Sequence, residues 1–300
     1  METLVKMSFY CFAATSVALA GASLSYILYS VGRVKVRRAT MATSAGTTVT
    51  SSSAEIGPGH IGFGQWGSML SWFAAVFAFL AVLFRTIAAE RLPTANMYEF
   101  SLTFILAISI MYIVFERIYN IRQLGAIVMP IAFGMTIYIW SLPADLREIT
   151  PLIPALQARP IMTIHVSSGI FAYAAFAVSF AAAVLYLIKN KRNIRWLPSL
   201  EVLDDVAFRA VGIGFPLLSL LLILGSIWAH DAWGVYWSWD PKETAALFTW
   251  LVYAVYLHTR TLRGWRGTRS AIILLFGFAA VIFTYYGNYF FGGLHAYGGV

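Results

Sequence analysis

Five histidines and a cluster of tryptophans are the residues of this chain best suited to holding a metal ion or a large flat ligand. The segment Trp228-Ala229-His230-Asp231-Ala232-Trp233-Gly234-Val235-Tyr236-Trp237-Ser238-Trp239-Asp240-Pro241-Lys242-Glu243 places four tryptophans and a tyrosine within twelve positions. Amphipathic rings belong at bilayer interfaces, and a belt of one or two per helix end is the bland account. The density here exceeds a belt, and Gly234 lets the backbone approach a partner closely. A large flat ligand would suit such a platform, and imidazole is a common metal ligand, so the histidines are candidate ligands for a metal ion. Cys11 is the only cysteine, which excludes disulfides, dithiol chemistry and thiolate clusters within the chain. There is no GxxxxGK[ST] loop for phosphate, and no Ser/His/Asp or Cys/His nucleophile.

The elements that must position these residues are membrane helices. Hydrophobic residues make up 60% of 300 positions and charged ones 11%, too little polar surface to cover a soluble globule. A bilayer core takes roughly 20 apolar residues per helix. Eight stretches qualify, near 8–31, 66–86, 98–116, 124–141, 163–188, 207–229, 244–262 and 270–291. Period-2 alternation is absent, so the expectation is an all-α integral membrane protein in one polytopic unit over 1–300. The first stretch has no small-residue cleavage site before Arg33–Arg38 and reads as a retained helix. Ala39–Ser53 reads as a flexible linker, and Pro130 and Pro216 as helix kinks.

Basic residues gather at 33–38, at Arg117 and Arg122, at 189–195 and at Arg260, Arg263, Arg266 and Arg269. These alternate loops are expected on the inner side, leaving both termini and the loops near 87–97, 142–162 and 230–243 outside. The net charge of +8 therefore serves membrane orientation, and nucleic acid is not an expected partner. His165 then begins the fifth helix at the outer surface, and His295 follows the eighth on the same side, where two imidazoles can serve one iron as axial ligands. His258 falls roughly 21 Å along the seventh helix, deep in the inner half. His60 lies near the inner end of the second helix, and His230 reads as a bystander within the tryptophan segment. Asp240, Pro241 and Glu243 form a capping-box pattern that starts the seventh helix.

The run WGxYWxWDPKE, followed by Leu257-His258-Thr259-Arg260, resembles the tryptophan-rich signature of the CcsA (ResC) family of cytochrome c biogenesis proteins. The likeness extends from about Pro160 to Tyr297, through Ile164-His165-Val166 and Gly293-Leu294-His295-Ala296-Tyr297. The first four helices match mainly in hydropathy and in Pro93-Thr94-Ala95-Asn96-Met97-Tyr98-Glu99. The resemblance implies that haem b is bound as a substrate through His165 and His295. Its porphyrin would lie against Trp228, Trp233, Gly234, Tyr236, Trp237, Trp239 and Asp240. It implies a membrane site at His258 completed by a ResB-type (CcsB) partner. It further implies delivery to an apocytochrome c bearing Cys-x-x-Cys-His, with thiol-reducing proteins upstream, as a haem lyase component of a bacterial plasma membrane or a thylakoid. Lys242, Arg85, Arg91, Arg147 and Arg159 are the candidate partners for haem propionates. The rival readings are a haem exporter without lyase activity, an ion-coupled permease, and a structural respiratory subunit.

Overall fold

A computed structural model describes residues 2–43, 58–157, 160–192, 194, 196–287 and 292–295, with side chains described from 2–30 and from 62 onward. The described residues form eight long helices. They are α1 (Glu2–Thr43), α2 (Pro58–Ala89), α3 (Met97–Tyr119), α4 (Gly125–Ser141), α5 (Ile161–Arg192), α6 (Leu200–Trp233), α7 (Pro241–Leu262) and α8 (Thr268–Tyr286), with short 3-10 turns at Arg122–Leu124, Ala144–Arg147 and Pro154–Gln157. The chain is an integral membrane protein, and seven of its helices are long and apolar enough to span a bilayer. The exception is α7, whose apolar run is diluted by Thr, Tyr, Trp, His258 and Arg260.

Helix boundaries differ from the apolar stretches for a common reason. Hydropathy marks only what lipid must cover, whereas helical hydrogen bonding continues until a cap intervenes. α6 runs on to Trp233, so Trp228 and His230 sit on its last turns, and only Gly234–Asp240 forms the loop. α1 reaches Thr43, which makes the first residues of the expected 39–53 linker helical. The rest of that segment lies outside the described residues.

Close packing comes from small side chains. α5 buries Ala172, Ala174, Ala175, Ala177, Ala181, Ala182 and Ala183. The α5 Gly169 accommodates the end of Leu221 on α6, while Gly214 of α6 faces the Phe176 ring. Without a hydrophobic force between helices in lipid, such near approach maximises dispersion contacts. One buried apolar cluster runs from α1 to α8.

Polar contacts stitch the two ends of the bundle. At the basic end Arg260 pairs with Asp204 at 2.7 Å. Tyr26 donates to Glu116 at 2.7 Å at the same end. At the tryptophan end, Glu99 is fully buried and receives Arg85 Nε at 3.0 Å and Arg91 Nη1 at 2.6 Å. Arg85 also donates to the carbonyls of Arg147 and Glu148. Asn96 caps α3 by accepting from the Glu99 N–H at 2.9 Å, and its amide reaches the Leu146 carbonyl at 3.0 Å. The α2–α3 loop, α3 and the α4–α5 connection are thereby fixed to one another.

Candidate functional site

A half-open cavity at the tryptophan end brings together residues far apart in sequence. It is lined by Thr94–Met97 and Phe100, by His165, Gly169 and Tyr173 of α5, by Leu221, Gly225 and Trp228 of α6, by Trp237 and Lys242, and by Tyr285 and His295. Both expected outer histidines are in it.

Each histidine is oriented through one ring nitrogen. His165 Nδ1 lies 2.8 Å from the Leu221 carbonyl oxygen. A carbonyl can only accept, so Nδ1 carries the hydrogen and the lone pair resides on Nε2. Gly225, one turn beyond Leu221, makes the room: a Cβ there would stand 2.7 Å from His165 Cε1. His295 Nδ1 lies 2.9 Å from Asp240 Oδ1. A carboxylate behind an imidazole is the arrangement that fixes tautomer and ring direction in metal-ligating histidines.

Asp240 is the organising residue. Its side chain accepts from the Lys242 N–H at 2.9 Å and the Leu294 N–H at 2.6 Å as well as from His295. Gly293 leaves it space, because a Cβ at that position would collide with Oδ2. Burial pushes the carboxyl up, but the hydrogen bonds from His295 and the two backbone N–H groups outweigh it and hold Asp240 down to about 2. The expected capping box is present, with Glu243 accepting from the Asp240 N–H.

Trp228 forms the centre of the wall. It is buried and donates Nε1–H to the Ala155 carbonyl at 2.7 Å. Its ring lies nearly parallel to His165, at 6.0 Å and 18°, and 5.5 Å from His295. Trp233 backs His295 edge-on at 4.9 Å.

Several tryptophan-segment residues lie outside the cavity lining. Gly234 has φ 78° and caps α6, donating its N–H to the His230 carbonyl. Tyr236 stacks on His230 at 4.3 Å, away from the cavity lining. Trp239 is 70% exposed. Of the segment's aromatic residues, Trp228 and Trp237 line the cavity. His258 stands apart from it, exposed toward the basic end of α7 on a face shared with Leu251, Val255 and Leu262.

Sequence reading passed over Gly225, which looked like one more small residue in an apolar run, and assigned no chemistry to Pro93–Glu99, which supplies a wall of the cavity. A glycine directly before Ser226-Ile227-Trp228 at a helix end was the available signal for the first. For the second it was a buried-type acid, Glu99, with an Asn-cap pattern.

Residues 94–295 match the model of the cytochrome c assembly protein family. The chain belongs to that family. The match begins at Thr94, so α3 and α4 fall inside the family region although their visible likeness is mainly hydropathy. Similar proteins include one named "Cytochrome c biogenesis protein CcsA" from Chlamydomonas reinhardtii, 37% identical over 73% of this chain and 64% of its own length. Proteins of the same name from Guillardia theta and from Synechococcus elongatus are 39% and 33% identical, each over 71% of this chain, covering 79% and 81% of their own lengths. The chain thus spans just under two thirds of the Chlamydomonas relative's length.

Proposed function

We propose that this chain takes part in cytochrome c biogenesis by holding haem b as a substrate between His165 and His295 and presenting it to apocytochrome c. The observation that carries this reading is the pair of imidazoles in one aromatic cavity, each with Nδ1 hydrogen-bonded to a fixed acceptor. Among the described residues no group of three or more His, Cys, Asp or Glu could enclose a bare ion. Two axial nitrogens suffice for a porphyrin iron, which brings four equatorial donors of its own. Trp228, parallel to His165, gives the macrocycle an apolar wall.

Membership of the family supports the substrate, an apocytochrome with a Cys-x-x-Cys-His segment. Each substrate thiol adds across a haem vinyl group: sulfur bonds to one vinyl carbon and the thiol hydrogen goes to the other, with no net redox change. The substrate histidine replaces one axial imidazole, and product leaves. Positioning does the work, since no nucleophile or general base of this chain is required. The cysteines must arrive reduced, which calls for thiol-reducing proteins.

His258 supports a second site in the membrane. An imidazole directed away from its own bundle needs a polar counterpart in lipid, and a ResB-type chain supplying the other ligand meets that need. Haem would pass from there to the tryptophan end, which the pattern of basic loops puts, with both termini, on the outer face. The exporter reading shares these histidines and differs in product: free haem instead of haem joined to substrate cysteines.

The test is the absorption spectrum of the protein purified with its co-expressed partner, as wild type, His165→Ala, His295→Ala and His258→Ala. Low-spin haem bands lost or shifted in the variants support the ligation. Co-purified haem whose spectrum is unmoved by all three substitutions overturns it.

A further inference from the structure

Of the described cations at the tryptophan end, Arg85, Arg91 and Arg147 lie outside the cavity lining and Lys242 belongs to it. Arg85 spends its donors on Glu99 and on the carbonyls of Arg147 and Glu148. Arg91 is held against the same Glu99 carboxylate. Arg147 lies over the rings of Phe9 and Trp140, at 5.2 and 5.6 Å. Arg159 falls outside the described residues.

Lys242 differs. It lines the cavity with His165, His295 and Trp237, yet among the described residues no carboxylate lies within 4.0 Å of its ammonium. Its two neighbouring acids are committed elsewhere. Asp240 accepts from His295, the Leu294 N–H and the Lys242 N–H. Glu243 Oε2 accepts from the Ser238 N–H, the Ser238 hydroxyl and the Asp240 N–H. A cation facing an apolar cavity is costly without a counter-charge. Trp237 lines the same cavity, and its indole Nε1–H is buried with no hydrogen-bond partner among the described residues, although buried donors are almost always satisfied.

We infer that Lys242 and the Trp237 indole N–H form a carboxylate subsite within the cavity, recognising a propionate of the bound tetrapyrrole and so setting which way round the ring sits. The ammonium supplies the charge and the indole a directional donor, while His165 and His295 fix the iron. With one edge of the ring tied to the start of α7, the vinyl-bearing edge is turned away from Lys242, toward where substrate thiols must arrive.

This inference rests on the haem-binding reading, and the experiment separates the two. The protein purified with its partner is titrated with haem b and with haem dimethyl ester, whose carboxylates are masked. The titration covers the wild type, Lys242→Met, Lys242→Arg, Trp237→Phe and His165→Ala. A charge-assisted hydrogen bond predicts that the wild type prefers haem b roughly 10- to 100-fold and that Lys242→Met loses most of that preference. Lys242→Arg retains it and Trp237→Phe loses part of it. Throughout, Lys242→Met keeps the low-spin spectrum that His165→Ala alters. An undiminished preference for haem b in Lys242→Met, with the low-spin spectrum intact, overturns the subsite and leaves the ligation standing. Failure of the wild type to bind haem at all removes both.

Discussion

Asp240 does two jobs that a single substitution can separate by readout. As the cap of α7 it contributes about 1 kcal/mol, which Asp240→Ala forfeits. As the acceptor behind His295 it decides where that imidazole points. Asp240→Ala is therefore expected to reproduce most of the spectral change of His295→Ala while lowering the melting temperature only slightly; an unchanged haem spectrum would detach Asp240 from the site. Its depressed acidity gives a sign as well. A carboxyl held near 2 against an ordinary 3.8 contributes stability in full above the ordinary value. That contribution fades as pH falls through about 2. Haem retention by the wild type should consequently be flat between pH 5 and 7 as far as Asp240 is concerned. Retention that dropped across that window and became flat in Asp240→Asn would contradict the assignment. At this scale the sequence was most legible: the two outer histidines could be put at one end of the bundle and the capping box at the start of α7 from type and spacing, whereas Trp228 was one of four tryptophans that nothing local told apart. Which nitrogen each histidine offers could not be read, because Leu221 approaches His165 only through helix packing.

α6 shows how an element serves a site through what it lacks. Gly225 removes a side chain so that His165 can reach a carbonyl one turn back, and Gly234 ends the helix in a left-handed turn that releases the loop toward α7. In a helix interior alanine is favoured over glycine by about 0.5–1 kcal/mol, so Gly225→Ala should leave α6 helical, the gain offsetting part of the cost of a Cβ 2.7 Å from His165 Cε1. The same change crowds His165 and should reduce haem occupancy several-fold, a split that co-purified haem per protein and a thermal melt would reveal together. Equal occupancy in Gly225→Ala would mean the imidazole does not need that notch. Helix existence was readable from apolar runs, but helix ends were not. Hydropathy stops at the lipid boundary, whereas α5 and α6 continue past it to 32 and 34 residues.

Across the whole molecule, the two halves of the chain meet at the cavity, and Glu99 holds the first half's contribution in place. With Arg85 and Arg91 both on its carboxylate, Glu99→Ala leaves buried positive charge unpaired, a loss of about 3–5 kcal/mol. The expected result is a clear drop in melting temperature, with weakened haem binding, because Thr94–Met97 line the cavity. A variant as stable as the wild type would show that the trio is dispensable. This arrangement was the least legible feature in the sequence. Its members come from three separate elements, and nothing local to Arg85 announces that its partner lies beyond the next turn.

Trp239 has a backbone φ of 59° together with a side chain that is 70% exposed. A left-handed conformation costs an ordinary L-residue about 1–2 kcal/mol, and asparagine or glycine bears it more easily. An exposed indole returns little packing to offset that strain, so the fold would be steadier without it. Trp239→Asn should therefore melt at or above the wild-type temperature. Whatever is lost in that variant, be it bilayer anchoring or assembly with another chain, measures what the indole touches outside its own molecule.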